Sequence, residues 1–146
     1  MHTDIQHAAI PSLWRRLAAI FYDSWLVAAI WLLGAIADTF IRAGLGLAAE
    51  GPHLPLQLYL LAAPALFFGW FWTHGGQTLG MRAWRLKLLD REGAPATWRQ
   101  ALIRYAAAWL SLLALGLGYL WIWLDRDGQA WHDRLSGTRL VLLRKP

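Results

Sequence analysis

Apolar runs and polar stretches alternate along the chain, and the runs are too long for strands. The first lies between Arg15 and Asp38 (RRLAAIFYDSWLVAAIWLLGAIAD), where Asp23 is the only charge from Leu17 to Ala37. At 1.5 Å per residue that stretch covers about 30 Å, the thickness of a bilayer's hydrocarbon core. Ser12 is placed to cap a helix starting at Leu13. The run is longer than a signal-peptide core, and AIADTFIRAG after it offers no small-residue cleavage site, so it reads as a retained span. The second run, Leu56 to Trp72, is bounded by Pro55 and the polar THGGQ. Pro64 removes one helix hydrogen bond at mid-span, which leaves the Leu60 carbonyl to a neighbour or to water. Trp70 and Trp72 mark an interface at its far end. The third run, Trp98 to Leu124, begins after Thr97 as a cap, carries Arg104 near its start and holds Gly116-Leu117-Gly118 well inside.

The polar stretches set orientation. Residues 1–12 are a short lead. The connection from Asp38 to Pro55 is nearly neutral, with Asp38, Arg42, Glu50 and His53, and a short interfacial helix fits Phe40 to Ala49. The connection from Thr73 to Gln100 carries Arg82, Arg85, Lys87, Arg91 and Arg99 against Asp90 and Glu92. By the positive-inside rule it and the N-terminus face the cytoplasm. Within it Arg85 to Leu89 reads as a short strand followed by an Asp/Gly turn. The tail from Asp125 to Pro146 is also basic, and Thr138 to Leu143 reads as a second strand. Three straight spans would put this basic tail on the wrong side. A break at Gly116–Gly118 would turn the third segment back and let TRLVLL pair with RLKLL. The fold class is therefore an all-α membrane protein, a bundle of three transmembrane segments with short cytoplasmic loop strands, the third segment either straight or re-entrant. Its parts are a lead at 1–12, a transmembrane domain at 13–142 and a basic end at 143–146.

Composition supports this picture. Of 146 residues 58% are hydrophobic and only 16% charged, away from globular usage in the direction of a membrane chain. The eleven Trp suit lipid–water interfaces. The net charge of +5 sits in loops beside apolar runs, where positive-inside bias explains it without nucleic acid. The chain has no cysteine, which removes disulfides, thiol chemistry and Cys-based metal sites. The partners implied are the bilayer of a cytoplasmic membrane and, because so few segments make a poor transporter alone, a second copy or another membrane protein.

The candidate functional residues are polar groups near or inside the runs: Arg16, Asp23, Arg104 and Asp133. An isolated carboxylate in hydrocarbon costs about 2.5–3.5 kcal/mol on insertion scales, so Asp23 needs a partner. Arg16 shares its helix face but lies about 10 Å away along the axis, and snorkelling to headgroups suits it. Arg104 is the expected partner, ahead of Tyr22, Tyr105 and His132. Such a carboxylate either relays a cation or proton or locks helix packing through a permanent pair. Trp131-His132-Asp133-Arg134 with Ser136 and Thr138 reads as a helix start or turn docking the tail, since adjacent residues rarely form a triad. His74, His132 and Asp133 lack diagnostic metal spacing. Gly75–Gly80 lacks the Lys-Ser/Thr ending of a nucleotide loop. No catalytic, metal or cofactor residue is assigned.

Four ordered blocks resemble the RDD family of membrane proteins, named for an arginine and two aspartates. They are Arg16 with Asp23; Gly76-Gln77-Thr78-Leu79-Gly80-Met81-Arg82; Asp90 to Gly93; and His132-Asp133-Arg134-Leu135-Ser136-Gly137-Thr138. The resemblance implies a small multi-span domain with Arg16, Asp23 and Asp133 as the namesake positions, Asp125 being the competitor for the last. It adds Gly76, Thr78, Gly80 and Arg82 as a loop motif. Some members have been proposed as sodium/proton antiporters, and others serve in larger membrane assemblies.

Overall fold

The first apolar run forms a single helix, α1 (Leu13–Gly44), longer than the span read from sequence. Nothing between Asp38 and Phe40 breaks helical geometry, so the expected separate interfacial helix does not form. Phe40 to Gly44 are instead the last turns of α1, which ends through hydrogen bonds from Leu45 N to Ile41 O and from Gly46 N to Ala43 O. The computed structural model describes residues 9–48 and 54–143; Ala49, Glu50 and His53, most of the lead and residues 144–146 lie outside that range. Ser12 takes the extended N-cap position, but its hydroxyl makes no capping bond. The buried residues of α1 are Leu13, Arg16, Ala19, Asp23 and Val27, a stripe at spacings of three and four. This helix is inside out: its two buried charges face the protein and its large apolar side chains face outward.

Helix α2 (Leu54–Thr73) runs back against α1. The Leu60 carbonyl that Pro64 releases accepts from the Trp31 indole Nε1–H of α1 at 2.8 Å. At the next residue, the Tyr105 hydroxyl donates to the Leu61 carbonyl at 3.1 Å, so the proline site is where two other segments grip α2. Trp72 is buried in the core, contrary to the interfacial placement, whereas Trp70 is exposed and stacks on His74.

A short helix, α3 (Leu79–Ala83), follows the glycine turn and leads into β1 (Leu86–Asp90). Asp90 turns the chain: its Oδ1 accepts from Glu92 N at 2.9 Å and Ala94 N at 2.8 Å. Thr97 then opens α4 (Trp98–Leu113) with a reciprocal capping box to Gln100. The buried side of α4 is Ala101, Arg104, Ala107 and Ser111, small residues around one arginine.

The third segment is broken. Leu115 and Gly116 both take left-handed φ values of 57° and 77°, the Gly116 N–H bonds back to the Ser111 carbonyl, and the helix ends. The short α5 (Leu117–Leu120) and a 3-10 turn (Trp121–Trp123) leave at 106° to α4. Helix α6 (Trp131–Ser136) then packs back on α4, and β2 (Thr138–Leu142) pairs antiparallel with β1, Leu88 opposite Leu140. Leu142 N also donates to Ala9 O at 3.1 Å. The described N-terminal end therefore meets β2, and β2 meets β1, at one end of the bundle, the sheet end. Three straight spans with a tail on the opposite face are not what the chain makes. Among the described residues, α1 and α2 are the helices long and apolar enough to cross a membrane, and the bent pair α4–α5 is the third candidate. Leu86 and Leu88, with Ala19, Met81, Ala96 and Ala101, form the core under the sheet.

Candidate functional site: a buried arginine–aspartate lock

Asp133 is the hub. It occupies the first turn of α6, where its Oδ2 accepts from its own Ala130 N–H at 3.0 Å. Arg16 Nη1 of α1 reaches the same oxygen at 2.7 Å, and Arg104 Nη1 of α4 reaches Oδ1 at 2.5 Å. All three side chains are at most 5% exposed. Arg16 Nη2 also donates to Gly128 O at 2.9 Å, and Arg104 Nη1 to Thr138 Oγ1 at 3.0 Å. Trp72 supports Arg104 from below, its ring centroid 5.3 Å from the guanidinium carbon. The lock joins α1, α4, α6 and the start of β2.

Two expectations are corrected here. Arg16 does not snorkel to headgroups, because a carboxylate and a carbonyl from the returning tail satisfy its charge inside the protein. Arg104 does not pair with Asp23; Asp133 takes it. Asp125, the competing aspartate, stays in its own loop, accepting from Gln129 N at 2.8 Å and pairing with Arg134.

Asp23 has a different task. Its Oδ2 accepts from the Thr78 hydroxyl at 2.5 Å and its Oδ1 from Gly80 N at 2.8 Å. Thr78 in turn accepts from Met81 N at 3.1 Å, so the carboxylate extends the N-cap of α3. Gly80 must be glycine because a Cβ there would run into the Ala19 carbonyl and lie 2.9 Å from the Asp23 carboxyl carbon. Gly76, at φ 74°, accepts from Leu88 N at 2.7 Å through its carbonyl and fixes the loop to β1. Arg82 is exposed at the end of α3 and joins neither cluster. Among the expected residues, the structure thus gathers Arg16, Arg104 and Asp133 in one cluster, and Asp23, Thr78 and Gly80 in another. Thr138, Trp72 and the Gly128 carbonyl were missed; only Thr138 had a signal, its place in the tail block. Among the described residues no group of three His, Asp or Glu stands close enough to hold a metal.

His132 stands beside the lock, 5% exposed, with its ring 4.8 Å from that of Tyr119. Burial, with Arg104 next to it, holds the imidazole down at about 3. Burial by itself would raise the Asp133 carboxyl; Arg104 and Arg16 overcome this and keep it below the ordinary carboxylate range. Between the ordinary histidine value of 6.5 and about 3, the unfolded chain binds a proton that the folded chain refuses. Stability therefore falls as pH drops through that window, by up to about 1.4 kcal/mol per pH unit, and Asp133 adds a loss of the same sign below the carboxylate range. The melting temperature in detergent should decline from pH 7 to pH 4.5, and His132→Asn should flatten that decline. Identical profiles for the two proteins would contradict the assignment.

Two apolar helices of membrane-spanning length around a buried charge cluster define a multi-pass membrane protein. The model of the RDD family matches residues 10–137, which takes in every residue of both clusters except Thr138, and the chain belongs to that family. None of the curated proteins and none of the solved structures matches it.

Proposed function

We propose that this chain is a structural or adaptor domain of the cytoplasmic membrane, in which the buried charges are a permanent lock. The observation that carries this reading is that Asp133 accepts from Arg16 and Arg104 at once, while both oxygens of Asp23 are engaged by α3. A carboxylate that loads and unloads an ion must give up such bonds in every cycle, and a lock does not. In this reading α1 and α2 cross the bilayer, and α4–α5 enters and turns back. The sheet end, with Arg82, Arg85, Lys87, Arg91 and Arg99, faces the cytoplasm, as positive-inside bias requires. The partner is a second copy or another membrane protein that uses the cytoplasmic loops.

A second reading rests on one observation: Asp23 and His132 border the same cavity, as a proton or cation path would need. Flux in proteoliposomes separates the two. Under the lock, sodium or potassium gradients drive no proton movement above that of protein-free vesicles. Cation-dependent flux in wild type that disappears in folded Asp23→Asn would establish the second reading and end the first.

A further inference from the structure

A cavity of about 230 Å³ lies between α1, α2 and α4, and neither cluster described above fills it. Its wall follows α1 from Arg16 to Trp31, about 22 Å at 1.5 Å per residue, so it is long and narrow. At ~30 Å³ per molecule it has room for about seven waters, yet nearly all of its lining is apolar, which leaves water few partners.

The two ends differ in chemistry. At the sheet end stand Arg104 and His132. Arg104 makes both of its hydrogen bonds through Nη1; its Nε and Nη2 donate to no atom among the described residues. His132 Nδ1 is buried with no partner among the described residues. Asp23, also at this end, is turned to Thr78 and Gly80. The other end, at Val27, Trp31, Pro64 and Leu112, carries no charge. Between the ends the cavity opens sideways: α1 and α4 both pack on α2 but make little contact with each other. Ile20 on α1 and Trp109 and Leu112 on α4 line it and remain exposed. A donor-rich head at the sheet end and an apolar tail toward mid-span match the orientation of an amphiphile in the leaflet on that side.

We propose that this cavity binds a long-chain fatty acid that enters laterally between α1 and α4. The carboxylate accepts from the free N–H groups of Arg104 and from His132 Nδ1–H, which the neutral imidazole can offer in one tautomer. The alkyl chain lies along α1 toward Trp31, with the part that the enclosed volume cannot hold lying in the lateral opening, and supplies the dispersion contacts that an empty apolar cavity would lack. The polar end is bordered by Thr78 and Met81 of the α3 turn and by His132 of α6.

The test uses the full chain, depleted of lipid in a neutral detergent, and palmitate carrying a mid-chain diazirine. Photolysis should label Val27, Trp31, Pro64 or Leu112. Unlabelled palmitate should compete, and 1-hexadecanol should compete at least tenfold less well. Ala108→Phe fills the cavity from α4 away from both charge clusters, and it should cut labelling at least tenfold with unchanged melting. If that variant melts below wild type, Ile20→Trp at the opening takes its place, with the same loss expected. Label spread over outward residues such as Leu33, Leu58 and Leu61 would overturn the proposal. So would equal competition by 1-hexadecanol, or full labelling of a folded cavity-filled variant.

Discussion

Asp133→Ala should remove most of the folded protein. The substitution leaves Arg16 and Arg104 buried without their shared counter-charge, and removing one partner of a buried ion pair costs about 3–5 kcal/mol. Here one deletion strands two guanidiniums, so the upper part of that range applies, against total stabilities of about 5–15 kcal/mol. It also removes the acceptor for Ala130 N–H at the start of α6. Expression and a monodisperse size-exclusion peak should both collapse. The triple variant Arg16→Met, Arg104→Met, Asp133→Leu should recover much of the loss, because replacing a whole buried ionic group by apolar side chains is often close to neutral. Asp133→Ala melting like wild type would mean that the lock is not a lock.

The second large effect is expected at Asp23, and its signature is a contrast. Asp23→Ala deletes a charged acceptor for the Thr78 hydroxyl and the Gly80 N–H, leaving two buried donors unsatisfied, at a cost of about 3 kcal/mol. Asp23→Asn should cost under about 1 kcal/mol, since its amide oxygen still accepts from Gly80 and its NH₂ can donate to Thr78 Oγ. A salt bridge to Arg104 would predict the reverse, with asparagine nearly as damaging as alanine because both leave the arginine unpaired. Thermal melts of the two variants decide between these accounts, and matched losses would refute the capping role. The asparagine variant is also the one whose folding permits the flux comparison.

Much of the fold was legible in local pattern. Apolar length placed α1 and α2, Thr97 marked the start of α4, and Asp90 with Gly93 marked the turn after β1. Pro64 identified the Leu60 carbonyl as an acceptor in need of a donor. The charge bias of the tail argued for a return, and the 106° bend and the β1–β2 pairing deliver it. The helix break falls slightly before the expected glycines, because Leu115 as well as Gly116 turns left-handed. α3 was not legible, because a five-residue helix has no periodicity to detect and its Thr78 cap is completed by Asp23, 55 positions earlier.

The site divides in the same way. The sequence by itself determined that Asp23 is costly in a membrane and must be compensated, because that follows from apolar length and charge alone, and it marked Arg16 and Arg104 as the charges nearest the same runs. Which partner compensates each was decided only in three dimensions. Arg16 meets Asp133 across 117 positions and Arg104 meets it across 29, once α6 has folded back on α4. Periodicity specifies the face on which a charge lies. The partner on that face is set by packing between distant segments, and an arginine does not distinguish one carboxylate from another until the backbone brings one within reach.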